Sequence, residues 1–232
     1  MPDLVHGDDG RARCGWCGDD PEYRRYHDEE WGEPLRGDRE LFEKISLEGF
    51  QAGLSWITIL RRRPTLRAAF AGFDIDAVAA FDDADVDRLM ADPGIIRNRA
   101  KVLATIGNAR LVREMTAERP GALVDLVWGF APTPHATRPR TLAEIPATTP
   151  ESAALSRELR ARGFRFVGPT TMYALMQSAG LVDDHVAGCW RAAEAPEGDR
   201  GTSRPRRGVA RGGPGTQTVT GGADPVPARG GG

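Results

Sequence analysis

Cys14 and His27 lie near the start of the 232-residue sequence, and His185 and Cys189 lie towards its end. Two thiolates and two imidazoles form the donor set of a closed, tetrahedral zinc site. Cys189 follows His185 by one helical turn, which can place both on one face. Four protein ligands leave no position for water, so one zinc bound here would be structural and would join the two ends of a domain. Taken singly, each of the four is also the kind of residue that is buried without a metal. A rival pairing is Cys14-Gly15-Trp16-Cys17, which has the C-x-x-C spacing of thiol oxidoreductases. That chemistry requires a strand and helix of thioredoxin type around it, and the helical periodicity offers none. Cys17 could also replace a histidine in a three-cysteine shell, and the residues alone leave that open.

A second constellation is aromatic. Trp16, Tyr23, Tyr26, Trp31 and Trp56 are five of the eight Trp and Tyr residues, and all fall within residues 16–56. Single rings of this size fill cores, whereas a group of them can stack a flat, electron-poor base. Glu48 stands among them. It continues the stripe Leu41, Ile45, Glu48, Ala52, spaced 4, 3 and 4 residues apart, and so points inward. A buried carboxylate is costly unless paired. Either Glu48 meets an arginine or backbone donors at the stripe's edge, or it receives a cationic ligand. The adjoining segment from Gly49 to Trp56 combines two glycines with polar and aromatic residues, as a helix end bordering a cleft would.

The elements that must position these residues are helical, and an all-α fold is expected. The Leu41 stripe follows a candidate cap at Asp38; Val102, Ile106 and Ala109 repeat the pattern, as do Leu123, Val127 and Phe130. Thr149 can cap a helix with Pro150 at its first position, Leu155 and Leu159 inward and Gly163 at its stop. Thr170 to Ala179 forms the last helix, ended by Gly180. No run alternates strictly enough for a strand, and four prolines between Ala131 and Thr148 mark a loop. Asp85 to Met90 reads as a helix, Ala91 to Ile96 as a tight hairpin, and Arg97 to about Met115 as the next helix. This pattern is similar to a helix-hairpin-helix, in which backbone N–H groups near a glycine hold a DNA phosphate. Gly94 is present, but Ile96 stands where many such motifs carry a second glycine. An ordinary helical turn also fits.

Residues 1–12 read as a flexible lead, 13–191 as one helical domain and 192–232 as a disordered tail, since Ala193 to Gly232 contain no Leu, Ile, Phe, Trp, Tyr or Cys. A net charge of −2 means that nucleic acid would be met only by a local patch; the Arg61, Arg62, Arg63 run and Lys101 are the candidates. Only Lys44 and Lys101 of the 31 basic residues are lysines. The start lacks a cationic, apolar leader, and the longest apolar stretch, around Leu123 to Ala131, is broken by Asp125. Three cysteines suit a reducing compartment. The expectation is a cytoplasmic protein without a membrane segment.

Five motifs together resemble one family. They are Cys14-Gly15-Trp16, Tyr26-His27-Asp28-x-Glu30-Trp31-Gly32, Leu47-Glu48-Gly49-x-Gln51-Ala52-Gly53-Leu54-Ser55-Trp56, Gly94-Ile95-Ile96-Arg97 and Asp184-His185-Val186-x-Gly188-Cys189. They look like the signatures of the 3-methyladenine DNA glycosylase I family, in order from about Arg13 to Cys189. The resemblance implies a helix-hairpin-helix DNA glycosylase fold and one structural zinc on Cys14, His27, His185 and Cys189. It implies a base pocket in which Glu48 accepts hydrogen bonds from the lesion, with Trp16, Tyr23, Tyr26 and Trp56 around it. DNA would be held at Gly94, Ile95, Ile96, Arg97 and Lys101. The activity implied is hydrolysis of the N-glycosidic bond of 3-methyladenine in alkylated double-stranded DNA, by a monomer and without strand cleavage. Cys17 is not part of that family's metal signature, and the tail after Arg191 is an addition to it.

Overall fold

The computed structural model describes residues 2–133 and 138–192. Among these, nine α-helices build the fold: α1 Pro21–Glu29, α2 Asp38–Gln51, α3 Trp56–Ala69, α4 Ile75–Ala79, α5 Asp83–Ala91, α6 Arg99–Glu118, α7 Ala122–Trp128, α8 Pro150–Ala161 and α9 Pro169–Ser178. The expected tail lies outside the described residues from position 193 on. None of the described helices is long and apolar enough to cross a membrane.

The all-helical expectation needs one correction. Leu4–His6 (β1) pairs antiparallel with Ala12–Cys14 (β2), Leu4 opposite Cys14 and His6 opposite Ala12. Part of the segment expected to be a flexible lead is therefore a short hairpin. Strands of three residues are too brief to show a period of two, which is why the sequence pattern missed them. Their consequence is positional, because the end of β2 delivers Cys14.

Helix α2 is the centre of the fold. Every residue from Leu41 to Phe50 is buried, and α3, α6, α7 and α9 pack against it. Its cap is Gly37, not Asp38. The Asp38 carboxylate turns instead to α7, accepting from Gly121 N at 2.7 Å and Val124 N at 3.0 Å. It thus satisfies orphan amides at the start of a different helix. At the other end of the chain the expected signals hold. Thr149 and Ser152 form a reciprocal cap on α8 with Pro150 at the first position. Gly180, at φ 74°, follows α9; a Cβ there would sit 2.7 Å from Gly32 O and Pro34 N, so only glycine lets α9 close on the segment after α1.

The segment between α5 and α6 folds back on α3. Gly94 N donates to Asp92 Oδ1 at 2.7 Å, and Gly94 O accepts from Arg62 Nη1 at 3.1 Å and Thr65 Oγ1 at 2.7 Å. Helix α6 begins at Arg99, later than expected, because Asn98 caps it by accepting from Lys101 N at 3.2 Å. Arg97 is therefore an exposed loop residue.

Candidate active site and metal centre

Asp20 opens α1 by accepting from Glu22 N and Tyr23 N, with Pro21 behind it. This start sets Tyr23, Tyr26 and His27 on the face turned to the rest of the domain. With α2, the start of α3 and α9, helix α1 borders an open cavity of about 290 Å³. Trp16, Tyr23, Tyr26, Trp31, Trp56 and Glu48 line it, and Gln51, Gln177 and Ser178 add polar groups. Trp16 meets Tyr23 and Trp31 edge-on, each at 5.1 Å between centroids, and Tyr26 lies 5.4 Å from Trp56. The sequence expectation of an aromatic group around one inward carboxylate is thus what the chain assembles.

Glu48 is 3% exposed. Its Oε1 accepts from Ser178 Oγ at 3.0 Å; among the described residues no donor reaches Oε2. Burial raises the carboxyl to about 7, opposed by the charge of Lys44 and the bond from Ser178. Among the described residues no arginine pairs with it. Tyr26 Oη accepts from Lys44 Nζ at 2.8 Å. Burial, with the Glu48 charge adding to it, holds Tyr26 well above the ordinary phenol value, and burial lifts Tyr23 to about 12. Both rings keep their protons. Trp56 Nε1 is buried with no acceptor among the described residues, and Glu48 is the carboxylate acceptor on the cavity wall.

The cavity shares its wall with a second centre. Trp31 lies edge-on to His185 at 4.6 Å, and Trp16 lies 5.4 Å from His27. Cys14, His27, His185 and Cys189 are all buried, and one ligand atom from each lies within 4.8 Å of the others. Cys189 Sγ is 3.3 Å from His27 Nε2 and 3.5 Å from His185 Nδ1, and Cys14 Sγ is 3.6 Å from His185 Nδ1. Metal–sulfur and metal–nitrogen bonds of about 2.3 and 2.0–2.1 Å in a tetrahedron imply sulfur–nitrogen edges of about 3.5 Å, so the four donors fit a metal ion. His27 turns Nε2 inward because Asp28 Oδ1 holds its Nδ1 at 2.8 Å. Asp28 is itself held by Arg13 Nε at 2.9 Å and Trp190 Nε1 at 3.0 Å. A carboxylate behind a ligating imidazole fixes its tautomer and orientation.

Cys17 is not among the converging four. Burial pushes its thiol up to about 11, the wrong direction for a redox nucleophile. It sits in a single 3-10 turn, Gly15–Cys17, between β2 and α1, so the oxidoreductase alternative has neither its scaffold nor its thiolate.

The residues expected to hold DNA divide. Gly94, Ile95, Ile96 and Arg97 form one turn, with Ile95 buried and Arg97 exposed. Lys101 needs correction. It is 7% exposed, and its Nζ donates to Phe50 O at 2.8 Å and Ala52 O at 2.7 Å. Those are terminal carbonyls of α2, so the ammonium closes that helix end rather than facing solvent. The arginine run is likewise engaged within the protein: Arg61 with Asp20, Arg62 with the Gly94 turn, and Arg63 with Glu30. Sequence reasoning missed Lys44 and Ser178. Lys44 stands one turn before Glu48 on the same helix and could have been found from that spacing. Ser178 lies 130 positions away and left no local signal.

A model of the methyladenine glycosylase family matches residues 16–192. Over 179 residues, 76% of this chain and 95% of the relative, the sequence is 53% identical to DNA-3-methyladenine glycosylase 1 of Escherichia coli (strain K12). A crystal structure of 3-methyladenine DNA glycosylase I superposes with a TM-score of 0.74 at 48% identity, covering 77% of this chain and 98% of that one. A variant 3-methyladenine DNA glycosylase I in complex with 3-methyladenine superposes with a TM-score of 0.74 at 30% identity, over 79% and 99% of the two chains. The matched span takes in Glu48, the whole aromatic wall and three of the four metal-centre residues. By sequence and by chain trace alike, the chain belongs to the methyladenine glycosylase family.

Proposed function

We propose that this protein is a DNA repair glycosylase that hydrolyses the N-glycosidic bond of 3-methyladenine in alkylated double-stranded DNA and leaves the strand uncut. The observation that carries the reading is Glu48, a buried carboxylate on the wall of an aromatic cavity, one of whose oxygens meets no donor among the described residues. Methylation at N3 makes adenine a cation, so the base leaves the sugar as a neutral molecule and needs no proton from the enzyme. What remains is to extrude the nucleotide, select the cationic purine and stabilise positive charge on the sugar as water attacks. Tyr26, Trp56 and Trp16 supply ring faces that favour a cation over neutral adenine. In its ionised form Glu48 accepts charge-assisted hydrogen bonds from the base. No lysine lies where it could attack the sugar, since Lys44 and Lys101 are both committed to protein acceptors; base removal without strand cleavage follows.

The four-residue centre is read as holding one structural zinc, bound by Cys14, His27, His185 and Cys189. When bound, the ion joins the start of the domain to its end and fixes the Trp16 and Trp31 walls; it takes no part in bond cleavage. The turn between α5 and α6 is read as a helix-hairpin-helix clamp. The Gly94 N–H is taken by Asp92, so the phosphate is assigned to the amides of Ile96 and Arg97, which have no acceptor among the described residues, and to the start of α6. Lys101 then couples this clamp to the end of the helix that bears Glu48. The decisive experiment is incubation of the purified protein with methylated DNA and identification of the released bases. Release of 3-methyladenine with intact strands is the expected result; absence of any released base ends the reading.

A further inference from the structure

Only two of the 31 basic residues are lysines, and both are buried. Lys101 has the terminal carbonyls of α2 as its acceptors, which accounts for it. Lys44 is not accounted for by helix capping or by a surface ion pair. It does not line the aromatic cavity but lies behind it, with Nζ 4.8 Å from the ring centroids of both Tyr26 and Trp56. Its only hydrogen-bond partner among the described residues is Tyr26 Oη, at 2.8 Å.

The charges around Lys44 are already matched, with one exception. From its own helix, Glu43 accepts from Arg39 Nη1 at 3.0 Å and Arg67 Nε at 2.7 Å. Beyond the end of α1, Glu30 accepts from Arg25 Nη1 at 2.7 Å and Arg63 Nη2 at 2.8 Å. Arg63, from α3, adds repulsion. Glu48, one turn along α2, is the acid in this group that no arginine holds; α9 brings it only the uncharged Ser178. We propose that Lys44 is a positioning residue of the base pocket: its ammonium fixes the Tyr26 hydroxyl as a donor directed into the cavity and is the counter-charge that keeps Glu48 a carboxylate. The inference deepens the glycosylase reading and rests on it.

The first half follows from donor and acceptor types. An ammonium has only donors, so Tyr26 Oη must accept from it, and the phenolic proton must go elsewhere. Oη has no second partner among the described residues, and Tyr26 is one of the residues that line the aromatic cavity. The second half follows from burial. Desolvation lowers Lys44 to about 8 and raises Glu48 to about 7, and the attraction between the two limits both displacements. Without Lys44, Glu48 would take up a proton at a still higher pH. A protonated Glu48 no longer attracts a cationic purine, so the acid limb of excision reports the state of this pair. Tyr23, the other titratable group near Glu48, keeps its proton throughout this range.

The test is single-turnover release of 3-methyladenine by wild-type and Lys44→Met protein between about pH 5.5 and 9, with melting temperature and metal content measured on the same samples. The wild-type rate should rise through a limb near pH 7. The Lys44→Met limb should move up by about one pH unit, since a positive charge one helical turn away favours the ionised carboxyl. At pH 7 a displacement of about one unit is a loss of about fivefold, recovered at high pH except for the part due to Tyr26. Lys44→Gln keeps a donor to Tyr26 without the charge. It should show the same displaced limb with a smaller loss on the alkaline plateau, and it decides the matter if Lys44→Met does not fold. A limb at the wild-type position in either folded variant, with only a lower melting temperature, would show a packing role and overturn the inference. Wild-type protein that releases no base ends the functional reading instead, and the inference with it.

Discussion

Replacing Glu48 by Gln separates recognition from packing, because the amide keeps the size of the side chain and one acceptor while removing its charge. A hydrogen bond to a charged group contributes about 1.5–3 kcal/mol, which is about ten- to 150-fold in rate if it is realised in the transition state. The excision rate of 3-methyladenine in single turnover should fall by that factor, with metal content unchanged. Stability should move the other way. The Glu48 carboxyl is raised from 4.5 to about 7 in the folded protein, so folding is favoured most below the unfolded value, and that contribution is lost as pH rises through about 7. The displacement corresponds to roughly 3 kcal/mol against the folded state at alkaline pH. Gln removes that cost, and Lys44, already lowered to about 8, can give up its proton once its partner is gone. At about pH 8, where both effects operate, the melting temperature of Glu48→Gln should therefore equal or exceed that of the wild type. A folded Glu48→Gln protein that excises at the normal rate would end the recognition hypothesis, and a marked fall in melting temperature would refute the electrostatic argument.

Elemental analysis should find one zinc per chain, and Cys189→Ser should abolish binding and lower the melting temperature by about 6–12 °C, the effect of roughly 3 kcal/mol in a domain of this size; a metal-free protein of unchanged stability would refute the structural role. Asp38→Ala should lower melting by about 2–4 °C through loss of the α7 cap, worth about 1 kcal/mol, and leave excision alone. Arg97→Ala should lower the salt slope of DNA binding by about one, whereas Lys101→Ala should leave the slope unchanged and lower the melting temperature instead. A reduced slope for Lys101→Ala would return that residue to the DNA interface.

What could be read from the sequence was set by the range of each signal. Helix periodicity, proline positions and the Thr149 cap are local, and they located most of the helices to within a few residues. Asp38 shows the limit of that reading. An acidic residue at the start of a helical stripe is a sound candidate cap, yet its carboxylate caps a helix more than 80 residues away, and no spacing rule anticipates that. The arginine run and Lys101 mark the same limit for charge. Sequence shows that a side chain is basic, not whether a carboxylate or a helix end already holds it. Glu48 was legible because burial conflicts with charge, and the conflict appears wherever a carboxylate continues an apolar stripe. Ser178 and the wall formed by α9 were not legible, because they reach the site only through tertiary packing.

The position of Glu48 in the centre of α2 has a consequence for how the site holds its shape. A carboxylate that costs stability when ionised would be relieved by any small rotation towards water. Here such rotation is opposed along the whole helix. The Asp38 carboxylate at its first turn is engaged with α7, its last carbonyls are held by Lys101 from α6, and every residue from Leu41 to Phe50 is packed. The cost of ionising Glu48 is therefore carried by the packed helix and is not relieved by movement of the side chain into water. It follows that weakening the Lys101 anchor should affect Glu48 before it unfolds the domain. Lys101, at the start of α6 beside the Gly94–Arg97 turn, holds the last carbonyls of the helix that carries Glu48; if the turn seats on DNA as proposed, a Lys101→Ala protein should lose excision rate as well as melting temperature.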